Sequence, residues 1–155
     1  MTRRTRGQTI SDPDKITLDY LLVADGAQVV GGKLYLLGGG WDRLTVPQLP
    51  GGPAMPFSVA VGVNVPWSLT NRKMSFSIDV QDADGGHVGQ LVGGEFEVGR
   101  PPGLRSGAPQ RFQIAGPAGP ELPTAGRYVI QCAIDGEVIG HTAIEVTAAS
   151  PAASG

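Results

Sequence analysis

The chain has 155 residues, a length typical of one domain with one hydrophobic core. Hydrophobic residues make up 41% of it and charged residues 17%, a composition too apolar and too weakly charged for a disordered chain. The formal net charge of -2 lacks the clear basic excess of a dedicated nucleic-acid-binding domain, so we expect no nucleic-acid partner.

The two ends of the chain are predicted to be tails on either side of a single domain at 15–146. Residues 1–14 are polar and basic, and residues 147–155 are mostly small, so neither segment can pack a core. No apolar stretch has the length of a signal-peptide core or of a membrane span, which predicts a cytoplasmic protein with no membrane span. The single cysteine, Cys132, excludes an internal disulfide and favours the same reducing compartment.

The first predicted elements form a β-hairpin. Apolar residues alternate from Ile16 to Val23, which predicts a strand that bends at Ala24-Asp25-Gly26 and then reaches Val30. Gly31-Gly32 supplies a two-residue turn, and in that register Val30 faces Lys33. One face of the hairpin then carries four apolar residues: Ala27, Val29, Leu34 and Leu36.

Several further strands follow along the chain. Trp41 to Val46 and Phe57 to Val65 are predicted strands, and Pro66 ends the second of them. The clearest alternation runs from Lys73 to Val80, which indicates a strand with one buried face and one solvated face. Shorter strands are predicted at His87–Val92, Glu95–Val98 and Arg111–Ile114.

The last hairpin is predicted at 127–134 and 137–146, on either side of Asp135-Gly136. A two-residue turn would pair Cys132 with Ile139 and would leave the apolar residues of the two strands on opposite faces. A three-residue loop with a bulge at Gly136 pairs Cys132 with Val138 instead. We therefore predict the bulged loop, with one core face formed by Tyr128, Ile130, Cys132, Val138, Ile144 and Val146.

These elements predict an all-β fold. Seven to nine short strands, joined by glycine and proline turns without crossover helices, indicate an antiparallel two-sheet β-sandwich of immunoglobulin-like or jelly-roll-like kind. A partly open β-barrel is the alternative.

Two segments of the sequence carry a resemblance to a known family. They are Leu22 to Asp42, with the sequence LVADGAQVVGGKLYLLGGGWD, and Gly126 to Glu137, with the sequence GRYVIQCAIDGE. The chain resembles an uncharacterised family of small bacterial β-rich proteins, a domain of unknown function, over most of residues 16–146. The resemblance implies a compact β-rich domain and assigns no catalytic residue.

Residues that could carry catalysis are few and scattered. His87 and His141 are the two histidines, and isolated histidines form neither a zinc site nor a base oriented by an acid. Cys132 is predicted to lie mid-strand on the core face, where a cysteine packs as a small apolar residue. We therefore predict no catalytic residue, no metal site and no cofactor.

Two other segments match ligand-binding loops only in part. Gly38-Gly39-Gly40 lacks both the Gly-Lys-Ser/Thr ending and the following helix of a phosphate-binding loop, so we interpret it as a strand bulge or bend. Asp82-Ala-Asp84-Gly85 begins like a calcium-binding loop. No glutamate stands at that loop's twelfth position, which is Gly93.

Two proline-containing loops are the predicted places of partner contact. Pro47 to Pro56 repeats proline at every third residue, which suits either a polyproline II docking edge or a stiff connector. The second loop, Gly99 to Arg111, carries three arginines and no acidic residue, so it suits an anion or an acidic partner surface.

Both tryptophans stand beside predicted loops. Trp41 follows the three glycines, and Trp67 follows Pro66 at a strand end. Tryptophans in such places either anchor partners or plug the ends of the sandwich, and the sequence allows both interpretations. The candidate partner-binding residues are Trp41, Trp67, Arg100, Arg105 and Arg111.

The sequence supports three functional hypotheses. The leading one is a non-catalytic binding or assembly module that contacts a protein partner or associates with itself through the Pro/Arg-rich loops. The second is a ligand pocket or enzyme site between the sheets, built from Asp42, Arg43 and His87. The third is a carbohydrate- or calcium-dependent binder that uses Asp82, Asp84 and an exposed tryptophan.

Overall fold

The computed structural model describes residues 14–149. Within this range the chain forms nine β-strands and one 3-10 helical turn, which confirms the all-β prediction. The predicted tails lie largely outside the described residues, at 1–13 and 150–155. The strand bounds are β1 Thr17–Val30, β2 Lys33–Gly39, β3 Arg43–Val46, β4 Phe57–Val65, β5 Lys73–Asp82, β6 His87–Glu97, β7 Gln110–Ala118, β8 Gly126–Ile134 and β9 Glu137–Ala148.

The strands are arranged in two sheets. The first sheet has the order β2-β1-β4-β7, and all its neighbours are antiparallel. The second has the order β3-β9-β8-β5-β6, in which β3 runs parallel to β9 and the other neighbours are antiparallel. The predicted two-sheet architecture is therefore confirmed.

The hydrophobic core lies between the two sheets. Val59, Val61 and Val63 of β4 have no exposed surface, and neither do Ile78 of β5 and Ile130 of β8. Burial of one such side chain stabilises the fold by about 1.5–3 kcal/mol. The alternation that sequence analysis detects in these strands therefore marks the main stabilising layer.

Strand β4 is buried on its second face as well. Ala60 has no exposed surface and Ser58 is 8% exposed, yet neither belongs to the core cluster between the sheets. The hairpin of β1 and β2 covers this second face. Gln113 of β7 donates from Nε2 to the carbonyl oxygen of Gly32 at 2.8 Å, which fixes the hairpin turn over the sheet.

A side-chain relay holds that hairpin in place. The Tyr20 hydroxyl donates to Oε1 of Gln113, and Tyr20, Gly62 and Gln113 lie in register across β1, β4 and β7. A Cβ atom at Gly62 would overlap the Tyr20 ring, so glycine is needed for this close approach. The relay therefore runs from Tyr20 through Gln113 to Gly32.

The first hairpin has the predicted register. Val30 pairs with Lys33, Val29 with Leu34, and Ala27 with Leu36. Strand β1 is assigned without a break to Val30, and the predicted change of direction at Ala24-Asp25-Gly26 is where its backbone pairing passes from β4 to β2. Ala24 pairs with Ser58 of β4 on one side and with Gly39 of β2 on the other, so the strand passes directly from one partner to the next.

The predicted bulged loop of the last hairpin is wrong in its position. Ile134 pairs with Glu137 around a two-residue Asp135-Gly136 turn with φ values of 49° and 82°, the geometry that matches hairpin twist. The extra residue lies farther along, because the register shifts between Ala133 and Cys132. Cys132 therefore pairs with Gly140 and not with Val138 or Ile139.

The displaced bulge still aligns most of the predicted core face. Tyr128, Ile130, Cys132, Ile144 and Val146 are all buried, because one extra residue restores the phase of the alternation. Val138 lies before the bulge and points to the other face, where it is 50% exposed. The prediction that placed Val138 in the core is therefore wrong.

Other strand bounds also differ from those predicted. The two short strands at 87–98 are one strand, β6, which continues through Gly93-Gly94 because these glycines pair with Ser77 and Phe76 of β5. At the start of β3, Trp41 lies outside the strand. Strand β9 extends to Ala148, two residues beyond the predicted strand end at Val146.

The Pro47–Pro56 segment is joined to the loop between β7 and β8. Gly51 and Leu122 exchange two backbone hydrogen bonds, at 3.0 Å and 2.8 Å, in an isolated antiparallel bridge. Leu122 is 1% exposed and belongs to the core. The Pro47–Pro56 segment therefore acts as a structured connector across one end of the sandwich.

Candidate functional site

Strand β2 is the most exposed apolar element among residues 14–149. It forms one edge of the first sheet, and β1 is its sole strand partner in the described range. Leu37 is 74% exposed and Tyr35 is 57% exposed. These side chains share one face of the hairpin with Val30, which is 50% exposed.

The backbone of β2 is open along its outer side. The two-residue turn at Gly31-Gly32 makes Val30 and Lys33 a hydrogen-bonded pair, so Lys33, Tyr35 and Leu37 direct their N–H and C=O groups toward β1. Leu34 and Leu36 alternate with them and direct theirs outward. An exposed row of such groups is a template for another strand.

The other three sheet edges carry features that discourage strand pairing. Strand β3 has four residues and begins with Arg43, and β7 contains Arg111 and Pro117. Strand β6 contains Gly93-Gly94 and exposed Glu95. Short length, charge and proline all protect natural edges, whereas the centre of β2 has none of them.

The apolar surface of β2 extends onto its neighbours. Tyr35, Leu36 and Leu37 line a groove together with Ser58 at the start of β4 and Pro117 near the end of β7. This surface is a candidate interaction site, because large exposed apolar patches on soluble domains commonly mark interaction sites.

Two predicted contact residues, Trp67 and Arg100, lie together. The Arg100 guanidinium carbon stands 3.8 Å from the centre of the Trp67 ring. Arg100 Nε donates to Thr70 Oγ1 at 2.6 Å, and its terminal nitrogen donates to the Trp67 carbonyl oxygen at 3.0 Å. Arg100 therefore clamps the loop after β6 to the turn after β4.

The other two predicted arginines differ in their surroundings. Arg111 Nε lies 2.9 Å from Asp19 Oδ2, so its charge is already paired. Arg105 is exposed in the loop between β6 and β7, and no ion pair joins it to another residue in 14–149. Of the three arginines, Arg105 is the most available for an external anion.

Trp41 lies at the opposite end of the sandwich from Trp67. It packs edge-on against Phe57, the first residue of β4, with ring centres 5.4 Å apart, whereas Trp67 follows the last residue of β4. Nine strand residues separate the two ends, a span of about 26 Å. The two tryptophans that the sequence predicts as contact residues therefore lie in two separate regions of the surface.

A groove of about 440 Å³ lies beside Trp41. Asp25, Arg43, Met55 and Phe57 contribute to its walls. The indole nitrogen of Trp41 is buried and has no hydrogen-bond partner among the described residues.

The residues of the hypothetical enzyme site are far apart. Arg43 lies on β3 and His87 on β6, which are the two opposite edges of the second sheet. His87 Nε2 stands 3.6 Å from Asp79 Oδ1, and Asp42 and Arg43 do not approach this pair. The described structure therefore does not assemble the second hypothesis's residues into one pocket.

Asp82, one of the two aspartates of the hypothetical calcium-binding loop, stabilises a turn. Asp82 Oδ1 accepts hydrogen bonds from the backbone N–H groups of Asp84 and Gly86, at 3.0 Å and 2.8 Å. This carboxylate therefore shapes the turn between β5 and β6. In residues 14–149, no group of three or more histidine, cysteine or acidic side chains is arranged to hold a metal ion.

Cys132 lies in the core, where the sequence predicts it. Its side chain has no exposed surface. Burial, and to a lesser extent the charge of Asp79, raises the pKa of the thiol from 9.0 to about 11. A protonated thiol is a poor nucleophile at neutral pH.

Sequence reasoning missed the edge position of β2. The run Leu34-Tyr35-Leu36-Leu37 does contain a signal, because four consecutive apolar residues make both faces of a strand apolar. Whether such a strand is central or at an edge depends on the order of strands in the sheet. That order is set by contacts distant in sequence.

Comparisons with known proteins place the chain in a family and find solved structures with a similar region. A family model described as "Family of unknown function (DUF6941)" matches residues 19–147. No curated protein sequence matches the chain. Within residues 14–149, no helix is long and apolar enough to cross a membrane.

One solved structure with a similar region is an alkylpurine DNA glycosylase, AlkC from Pseudomonas fluorescens, bound to DNA containing an abasic site analog. The two chains share 12% sequence identity, with a TM-score of 0.44. The similar region covers 85% of this chain and 30% of the glycosylase chain.

Proposed function

Since this chain belongs to the DUF6941 family, a family of unknown function, we propose a function from its geometry: a non-catalytic binding and assembly module. Its contact surface is edge strand β2. The observation that carries the proposal is the open backbone edge of β2 beneath the exposed side chains of Tyr35 and Leu37.

Strand addition suits this surface better than contact through loops. The outward N–H and C=O groups of Leu34 and Leu36 provide directional hydrogen bonds to an incoming strand. The apolar side chains beside them add area that becomes buried in the complex. The two interactions act on the same five residues, from Lys33 to Leu37.

The proline and arginine loops have a secondary part in this proposal. Arg100 holds its loop against Trp67, and the Gly51–Leu122 bridge holds the Pro47–Pro56 connector. Arg105 is left as an exposed charge that can add to a partner contact from another side of the domain. The lone, buried Cys132 agrees with a cytoplasmic location.

The strand order also supports an immunoglobulin-like form of the sandwich. Such domains combine consecutive antiparallel hairpin strands with a tyrosine near the start of a late strand, whose hydroxyl bonds the backbone a few residues upstream. Tyr128, in β8, donates from its hydroxyl to the Thr124 carbonyl oxygen at 2.7 Å. The β1–β2 hairpin is then an addition to the edge of this sandwich.

Charge substitution on β2 tests the proposed function. Leu37→Lys places a charge on the contact surface without emptying the core, because Leu37 is 74% exposed. We expect binding or assembly to weaken at least about tenfold, measured by native mass spectrometry of the purified chain and by partner recovery from extract of the source cells. Melting temperature should change little.

Val138→Lys is the matched control, because Val138 is 50% exposed on β9 and lies away from β2. It should leave binding and assembly as they are in the parent. Equal losses in the two variants, or no loss in either, would refute the assignment of the contact surface to β2.

A further inference from the structure

We propose that the strand accepted by β2 is β2 of a second copy of this chain, paired antiparallel around a twofold axis at Tyr35. This inference rests on the proposed function, since it names the partner of the same edge. The result is a dimer in which two four-stranded sheets join into one sheet of eight strands.

The backbone of β2 is compatible with this symmetry. Residues that direct their N–H and C=O groups toward a neighbour must stand opposite residues that do the same. Leu34 and Leu36 are the outward residues between Lys33 and Leu37. A twofold axis at Tyr35 places Leu34 opposite Leu36 of the second copy, and Leu36 opposite its Leu34, so both outward residues of each copy are satisfied.

The side chains fit the same register. Tyr35 stands beside Tyr35 of the second copy as a pair without direct backbone hydrogen bonds, the arrangement in which side chains approach most closely. Leu37 stands beside Lys33 of the second copy, where the aliphatic stem of the lysine can cover the leucine. The most exposed apolar side chains of the strand, Tyr35 and Leu37, are thus covered by Tyr35 and Lys33 of the second copy.

Charge favours antiparallel over parallel pairing. Lys33 is the one charged residue within β2, Lys33–Gly39. A parallel pair in register would place the two lysines side by side, whereas the antiparallel pair separates them by four residues along the strand, about 13 Å. That distance exceeds the screening length of about 8 Å at physiological salt.

The fold also explains why such pairing ends at two copies. A twofold contact uses the same edge of each copy and leaves no second β2 exposed. The opposite edge of the sheet, β7, packs against β6 through stacked Phe112 and Phe96 rings whose centres are 4.6 Å apart. Arg111 and Pro117 also hinder strand pairing at that edge, so the twofold contact predicts a dimer and not a fibre.

Cysteine cross-linking tests the register. In the proposed dimer the two Tyr35 Cα atoms are about 4.5 Å apart, within the range of a disulfide, whereas the two Leu37 Cα atoms are about 13 Å apart. Under mild oxidation Tyr35→Cys should form a covalent dimer and Leu37→Cys should not. Cys132 will not interfere, since it has no exposed surface.

A second experiment keeps Tyr35 in place. A mixture of Lys33→Cys and Leu37→Cys chains should cross-link to each other, because these positions face each other across the axis, while neither chain should cross-link alone. Native mass spectrometry of the parent chain should show a dimer. Circular dichroism and thermal unfolding should show that each variant is folded.

Three results would overturn the inference: a parent chain that stays monomeric at its highest soluble concentration, no cross-link at Tyr35→Cys or in the mixture, or equal cross-linking of Tyr35→Cys and Leu37→Cys alone. The proposed function fails separately. If the chain is monomeric but the Leu34 and Leu36 amides become protected in extract of the source cells, β2 accepts a different strand and only the self-pairing is wrong.

Discussion

At the residue scale, Cys132 shows how burial decides chemical character. It pairs with Gly140 of β9 and lies opposite Ile78 of β5, entirely inside the core. An unfolded thiol ionises near 9.0, whereas the folded thiol keeps its proton until about pH 11. The stability that this group contributes is therefore complete below about pH 9 and is lost as the pH rises toward 11.

Cys132→Ala removes this pH dependence along with the thiol. We expect the parent to lose more free energy of unfolding than the alanine variant between about pH 8 and about pH 10.5, measured by urea unfolding. The ionisation of Tyr20, whose pKa burial also raises, is common to the two proteins and cancels in the comparison. Parallel pH profiles would show that the Cys132 thiol ionises as easily in the folded chain as in the unfolded one.

For Arg100 and Trp67, the sequence predicts the two residues but not the contact between them. The sequence indicates two residues suited to partner contact, and the structure brings them within 3.8 Å of each other. Their contact satisfies the guanidinium internally, through Thr70 and the Trp67 carbonyl. Composition alone gives no sign of this, because the clamp joins two loops that are 30 residues apart.

At the element scale, the β1–β2 hairpin depends on the relay from Tyr20 through Gln113 to Gly32. Beyond Ala24 the hairpin has no backbone pairing with β4, so these side chains are a principal tie to the sheet. Tyr20→Phe should lower the free energy of unfolding by about 1 kcal/mol, the usual value of one hydrogen bond. Amide exchange should accelerate from Gly26 to Leu37.

Tyr35→Phe is the matched control for this prediction, because it removes a hydroxyl from the same hairpin at a side chain that is 57% exposed. It should leave the exchange rates of the hairpin amides in dilute monomer unchanged. If Tyr20→Phe also leaves them unchanged, then the relay does not anchor the hairpin.

The two hairpins show what sequence can determine at this scale. Gly31-Gly32 defines the first register, because a two-residue turn leaves one arrangement of its flanking residues. In the last hairpin, alternation requires one extra residue but does not say where it lies. Asp135-Gly136 fits a tight turn, so the structure places the bulge within the strands.

Strand order lies beyond the reach of such local arguments. The alternation in β4 and β5 correctly predicts strands, and the absence of a catalytic cluster in the sequence leads to a binding module as the favoured hypothesis. Neither observation identifies β2 as an edge. That position follows from β1 pairing with β4, residues more than 30 positions apart, and it moves the proposed contact from the loops to a strand.

At the scale of the whole molecule, the two ends of the sandwich are already occupied by internal contacts. Arg100 and Trp67 tie the loops at one end, and the Gly51–Leu122 bridge spans the other. Three of the four sheet edges among residues 14–149 are short, charged or interrupted by glycine or proline, whereas in β2 the charge and the glycines stand at the two ends and leave Leu34 to Leu37 open. The contacts within the domain leave the apolar edge of β2 open. A partner strand would pair its outward backbone groups and bury its apolar side chains.

Amide hydrogen exchange at β2 tests this claim most directly. In dilute monomer, the Tyr35 and Leu37 amides bond to β1 and should exchange slowly, whereas the outward amides of Leu34 and Leu36 should exchange fast. As concentration rises, or in extract of the source cells, we expect the Leu34 and Leu36 amides of isotope-labelled chain to slow at least about tenfold. If both amides stay as fast in every condition as in dilute monomer, β2 accepts no strand and the account is wrong.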